Sequence, residues 1–411
     1  MRSRSAPHRL SRMLSGLQSP PGGGTNRSTA AAASPPPLAL RKDLVDAPQS
    51  GIRLLMSKSA ELERNEQPFG RVIHLEVGQP DFRTPSHILE ATSDAVLNTE
   101  SMTQYIANAG IDQLRELVAD RCSREAPSVA TTAENILVTP GAVMAMASAF
   151  AVGLEPGDEV LVPDPGWPNY SLSAVVLSAI AVPYSCPASG GWLPSLPAIE
   201  QAITPRTKMI VLCNPSNPTG AVLPEALLRS VLELAGQHGL FVLADEIYRD
   251  ICYLDQTPCS LLALAGEMGL TEHILLLGGA SKSYAMTGFR VGWLRGSPAV
   301  IEQGKKVQEA FTSCGVPFAQ AGAIAALEGD AAAWLAEGQL SPSVVAMVAG
   351  YKKRRDIAIA TLESYDMAPA ATPEGAFCKS PTPPGTLPPR LEALLAEPAR
   401  GSEAPMTDRP R

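Results

Sequence analysis

Several features that would narrow the chemistry of this 411-residue chain are missing. Its seven cysteines, Cys122, Cys186, Cys213, Cys252, Cys259, Cys314 and Cys378, are odd in number and never spaced C-x-x-C. They read as reduced thiols, neither a disulfide framework nor a thiolate metal cage. The five histidines form no H-x-x-x-H pair and no Cys/His cluster, so a zinc site has no sequence support. Every apolar run is broken by Gly, Pro or a charge before the roughly 18 to 20 residues that a bilayer span requires, and no membrane partner is expected. Positive charge is scarce as well. The formal balance is -8 with no basic stripe, which excludes the polyphosphate contacts that nucleic-acid affinity rests on. Acidic residues are absent before Asp43, where Arg2, Arg4, Arg9, Arg12, Arg27 and Arg41 stand among Ser, Ala, Pro and Gly. Residues 1–42 therefore read as an organellar transit peptide, for mitochondrion or plastid. The plainer alternative is a disordered tail on a cytoplasmic protein.

The remainder has an ordinary globular composition, 45% hydrophobic and 18% charged. Its length favours two domains, or one large α/β unit with an appendage. From Val72 onward short apolar runs alternate with longer amphipathic stretches, the pattern of βα units around a mostly parallel sheet. Ile136 to Val138, Glu159 to Val162, Lys208 to Leu212, Leu240 to Ala244 and Ile274 to Leu277 are expected as buried strands. Gly141 to Val152, Tyr170 to Leu177, Leu196 to Ile203 and Pro224 to His238 have helical spacing. Residues 99–306 thus form one large α/β domain. The flanks 43–98 and 307–377 are expected to pack together as a second, smaller domain. Residues 378–411, rich in Pro, Ala and Glu, carry no pattern that calls for structure.

Three segments after predicted strands carry chemistry. Ser281-Lys282-Ser283-Tyr284-Ala285-Met286-Thr287-Gly288-Phe289-Arg290 follows the strand at Ile274 to Leu277. A lone lysine is normally a solvated surface residue, but one just past a strand end among small residues can have its amine tuned for Schiff-base chemistry. Asn214-Pro215-Ser216-Asn217-Pro218-Thr219-Gly220 follows Leu212 and can be a polar turn and no more. Asp245-Glu246-Ile247-Tyr248 ends the strand at Ala244, and carboxylates at such ends face the crevice where α/β sheets bind ligands. Glu246 reads as a solvated helix start.

Spelled S-K-x-x-x-x-x-G-x-R, N-P-x-N-P-T-G and D-E-x-Y, these segments resemble the class I/II aminotransferases, fold type I enzymes that use pyridoxal 5'-phosphate, collinearly from about Val72 to Phe377. The resemblance implies that Lys282 carries the cofactor as a Schiff base and moves the substrate proton, and that Asp245 pairs with the pyridine nitrogen. Asn217 and Tyr248 would bond the ring oxygen, and Arg290 would grip the phosphate. It further places Gly141, Ala142 and Val143 at the phosphate through backbone amides and Trp167 on the ring face, with core packing as the alternative for Trp167. Gly78, in Gly78-Gln79-Pro80-Asp81-Phe82, would lie near the substrate carboxylate. Tyr105 would reach the phosphate of a neighbouring subunit, which implies a homodimer. The implied activity moves an amino group between an L-amino acid and a 2-oxo acid.

Two departures bear on that reading. Gly279 replaces the serine common three residues before the lysine, removing one phosphate contact. After Gly375-Ala376-Phe377 no R-x-S segment follows to clamp the substrate carboxylate, and Arg390, Arg400, Arg409 and Arg411 lie in dissimilar sequence, so the small domain is expected to be incomplete. This predicts retained cofactor binding with weak transamination. A β-lyase or synthase of the same fold, or a cofactor-binding remnant, stays open. No Lys or Arg occurs from Asn135 to Asp158, and the amino donor is left open among aspartate, aromatic and alanine types.

Overall fold

The computed structural model describes residues 40–47, 51–64, 71–365, 367 and 369–377. The expected leader before residue 40 and the tail from Cys378, with Arg390, lie outside them. The chain divides into a short unit, Met1–Val45, and a large one, Asp46–Arg411, which contains every feature below.

Seven strands form one sheet: β1 Ile136–Thr139, β2 Glu159–Asp164, β3 Ile180–Ser185, β4 Thr207–Cys213, β5 Phe241–Asp245, β6 Ile274–Gly279 and β7 Gly292–Arg295. Their order is β1-β7-β6-β5-β4-β2-β3, and β7 alone runs antiparallel to its neighbours. The central strands are apolar on both faces because helices cover both. Ile210, Leu212, Val242, Ala244, Ile274 and Leu276 point into one core. Their alternates Met209, Val211, Leu243, Leu275 and Leu277 point into the other. The first core is covered by the helices Asp112–Glu125, Glu225–His238, Leu261–Met268 and Pro317–Glu337. The second is covered by Ala142–Gly153, Asn169–Val176 and Pro298–Thr312. The result is a three-layered α/β fold.

The expected strands and helices all occur, with ends shifted by a residue or two. β3 and β7 were not anticipated. β3 is the edge strand, partly exposed and carrying Pro183, as sheet edges tolerate. From the two flanks of the sheet region, the helix Ser86–Asn98 packs on Pro317–Glu337, with Ile88 and Ala323 in one cluster. Among the described residues no helix is long and apolar enough to cross a membrane.

Candidate active site

Because β1, β2, β4, β5 and β6 run the same way, their carboxyl ends share one edge of the sheet, where α/β folds open a crevice. The start of β7 reaches that edge as well, since Gly292 pairs with Thr139 on one side and Gly279 on the other. The sites expected after β1, β2, β4, β5 and β6 are thereby brought to one place with Arg290, which precedes β7. Gly292 permits this convergence. A Cβ there would lie 2.4 Å from the Ala142 nitrogen, a backbone atom that cannot swing aside.

Asp245, the last residue of β5, is only 2% exposed. The Tyr170 hydroxyl donates to its Oδ2 at 2.6 Å, and the Ile247 N–H donates to Oδ1 at 3.2 Å. Burial pushes the Asp245 carboxyl above its usual pKa, and the bonds from Tyr170 and Ile247 and the charge of Lys282 only partly offset it. A cation placed against this carboxylate would relieve the remaining cost.

Lys282 sits in the single turn Ala280–Ser283 that leaves β6. Its Nζ donates to the Gly78 carbonyl at 2.7 Å. It also lies 5.7 Å from the centre of the Tyr248 ring and 5.4 Å from that of Phe377. Phe377 meets Tyr248 edge-on at 5.5 Å and stacks on Tyr351 at 5.1 Å. The Gly375-Ala376-Phe377 segment is pinned there by its backbone, as Glu374 and Gly375 donate to the Gly220 carbonyl at 2.8 and 2.9 Å, and Ala376 donates to Ile251 at 2.8 Å. Gly220 must be glycine on two counts: its φ is +72°, and a Cβ would lie 2.6 Å from that of Pro373.

Asn217 is half-buried in a loop whose ends are fixed. The Asn214 N–H donates to the Asp245 carbonyl at 3.0 Å, its side-chain oxygen accepts from Leu223 N–H at 2.9 Å, and Gly220 N–H donates to Ser216 at 2.8 Å. The β4 loop is thus tied to the end of β5.

At the β1 side, Gly141 (φ +84°) caps the helix Ala142–Gly153, whose first amides, of Ala142 and Val143, have no helical acceptor. The exposed Arg290, in left-handed backbone conformation, donates to the Thr287 carbonyl at 3.0 Å and to that of Pro140 at 3.4 Å. Its guanidinium lies so close that a Cβ on Gly141 would stand 2.2 Å from Nη2. Helix terminus and cation together make an anion cradle. Trp167 is half-buried and meets Tyr170 edge-on at 5.4 Å.

Tyr105 is not part of this convergence. It is 88% exposed and lines an open groove of about 340 Å³ with Ile106, Asn108, Glu309, Ser313 and Cys314. Glu246 corrects the sequence reading. Far from solvated, it is buried, accepts from the Leu261 N–H at 2.8 Å and the Ser260 hydroxyl at 3.3 Å, and pairs with Arg249 at 3.1 Å. A buried carboxylate beside a strand end is stable when so partnered. Tyr170 and Phe377 were not anticipated as site residues. Tyr170 was counted as a helix residue and Phe377 as the end of a motif, and only the fold puts them beside Asp245 and Lys282.

An anion cradle, a lysine among aromatic rings and a buried carboxylate in want of a cation suit a ligand with a phosphate at one end and a protonatable ring nitrogen at the other. Pyridoxal phosphate is such a ligand. The family model for aminotransferase class I and II matches residues 70–386, and the chain belongs to that family. It is a pyridoxal-phosphate-dependent aminotransferase, and its substrates are an amino acid and a 2-oxo acid. Among its relatives, an aspartate aminotransferase of Rhizobium meliloti is 35% identical over 332 residues, covering 80% of this chain and 76% of that protein. The bifunctional aspartate aminotransferase and glutamate/aspartate-prephenate aminotransferase of Petunia hybrida is 35% identical over 307 residues, 74% of this chain and 61% of that protein. Among solved structures, the aspartate aminotransferase of Thermus thermophilus with maleate aligns with a TM-score of 0.74 at 31% identity, covering 82% of this chain and 84% of that one.

Proposed function

We propose that Lys282 is the residue that carries the cofactor and moves the substrate proton. The observation that carries this reading is the position of its Nζ, within the crevice at the Gly78 carbonyl and between the Tyr248 and Phe377 rings. Asp245 holds a proton on the ring nitrogen, since an ion pair offsets the cost of its burial. Asn217 and Tyr248 orient the ring oxygen, Trp167 covers a face, and Arg290 with the amides of Gly141, Ala142 and Val143 holds the phosphate. Gly78 lies at the substrate carboxylate. Bound pyridoxal phosphate supplies an acceptor for the electrons released at the amino acid's Cα. With the cofactor bound, the Lys282 amine would be the group that accepts the proton from the amino acid's Cα and hands it on, with the Tyr248 and Phe377 rings limiting water around it.

Aspartate is the amino donor in this reading, supported by the names of the relatives. Tyr105, exposed in its groove, reaches the phosphate of a second copy in a homodimer. Residues 43–98 and 307–377 form a second, smaller domain in this reading, supported by the packing of the helix Ser86–Asn98 on Pro317–Glu337, and residues 1–42 address the protein to an organelle. The test is amino-acid-dependent bleaching of the bound cofactor's absorbance across a donor panel. Aspartate should bleach it fastest, and bleaching by aromatic or alanine-type donors alone would overturn the assignment of the donor.

A further inference from the structure

Behind the crevice lies a group of buried charges that the chemistry above does not use. Arg121, on the helix Asp112–Glu125, donates through Nη2 to Asp250 Oδ1 at 2.5 Å and through Nη1 to the Tyr284 hydroxyl at 3.3 Å. Its Nε donates to Glu125 at 3.0 Å. Asp250 accepts on its other oxygen from the Ser283 hydroxyl at 2.5 Å. The Tyr284 hydroxyl donates to Asp330, on the helix Pro317–Glu337, and Asp330 stands 3.8 Å from Arg121 and accepts from the Ser341 N–H at 2.9 Å. Ser283, Tyr284, Asp250 and Asp330 are all buried. A cavity of about 30 Å³ adjoins Arg121, Asp250 and Ser283, with Glu125, Glu246 and Arg249 on its polar side and Leu276 and Trp293 among its apolar lining. That is room for a water molecule or two.

The placement of these bonds matters more than their number. Ser283 and Tyr284 immediately follow Lys282, and Asp250 closes the turn that begins with Asp245 and Tyr248. One guanidinium therefore joins the lysine turn to the carboxylate turn, and both to the helices Asp112–Glu125 and Pro317–Glu337. Hydrophobic packing alone would hold the two turns less sharply, because apolar contacts are not directional while a forked guanidinium fixes angle as well as distance. Retaining so many charges away from water is costly for stability, which sets this cluster apart from ordinary core packing.

We infer that Arg121 is a positioning residue, which through Asp250, Ser283 and Tyr284 sets where Lys282 stands relative to Asp245. The inference rests on the reading of Lys282 as the cofactor lysine. Arg121→Lys keeps the charge and loses the fork, since an ammonium cannot serve Asp250 and Tyr284 in the same geometry. Ser283→Ala removes one hydroxyl and leaves the charges in place. In both holoenzymes kcat should fall by about tenfold to a hundredfold with KM little changed, the size expected of a small misplacement of reacting groups. The visible circular dichroism of the bound cofactor should drop at the same time, while far-ultraviolet circular dichroism stays that of the wild type. Should Arg121→Lys not fold, Ser283→Ala alone decides the question. Wild-type kcat and cofactor dichroism in the variant that folds would overturn the inference. So would losses that only track the unfolded fraction. Borohydride reduction of the wild type followed by peptide mapping separates the two claims: a tag away from Lys282 sinks the underlying reading, whereas a tag on Lys282 with unaffected variants sinks only the role of Arg121.

Discussion

Replacing Asp245 with asparagine should move stability and activity in opposite directions. The carboxylate is buried, and its pKa is raised by burial despite the bonds from Tyr170 and Ile247. An acid whose folded pKa lies above its unfolded value makes folding less favourable once pH exceeds the unfolded pKa, because the unfolded chain ionises freely and the folded one does not. The penalty is complete above the folded pKa and vanishes below the unfolded one, about 3.9 for an aspartate. Asparagine keeps the shape. Its oxygen can accept from Ile247 N–H while its amide donates to the Tyr170 hydroxyl, which both donates and accepts. The cofactor-free Asp245→Asn protein should therefore unfold at a higher urea midpoint than the wild type at pH 7 to 8, with the gap closing as pH falls toward 4. With cofactor bound, the variant would lose the partner proposed for the ring nitrogen. Loss of one preorganised electrostatic partner costs on the order of a hundredfold to a thousandfold in rate, about 3 to 4 kcal/mol. The assays are urea denaturation of the cofactor-free pair and single-turnover kinetics of the loaded pair. A lower midpoint for Asp245→Asn, or single-turnover rates close to the wild type, would refute the reasoning.

Two further outcomes follow from the same geometry. Gly292→Ala puts a Cβ 2.4 Å from the Ala142 nitrogen, so the helix terminus must retreat, costing about 1 to 3 kcal/mol in stability and weakening pyridoxal phosphate binding. Denaturation with equilibrium dialysis checks it, and an unchanged dissociation constant would count against the anion cradle. Burial pushes the Cys122 thiol up to about 12, so native Cys122 should resist iodoacetamide at pH 8.5 while the urea-unfolded chain reacts, and stability should decline as pH rises past the unfolded thiol value of about 8.5. Alkylation of native Cys122 as fast as in urea would contradict this.

What the residues disclosed depended on how locally each signal was written. β4 and β6 are uninterrupted apolar runs followed by Asn-Pro or small residues, so both strands and the loops after them could be read in place. β7 is four residues long, includes the buried charge of Arg295 and lies in a segment already claimed by the lysine motif, which concealed it. That Lys282, Asp245 and Asn217 share one edge was legible because each stands at the end of a predicted strand or just past it. The Arg121 cluster was not. Its partners Asp250, Tyr284 and Asp330 lie 129 to 209 positions further on, and nothing near Arg121 distinguishes it from a solvated helix arginine. Glu246 was misread for the same reason, since Ser260 and Leu261 reach it only through the fold.

The central claim is that one lysine holds the cofactor. Sodium borohydride reduction of the pyridoxal-phosphate-loaded protein, followed by proteolysis and mass mapping, reads it directly. The account predicts a single phosphopyridoxyl label on Lys282, absent from Lys282→Ala. A label on Lys305, Lys306 or any other lysine, with Lys282 unmodified, would contradict it.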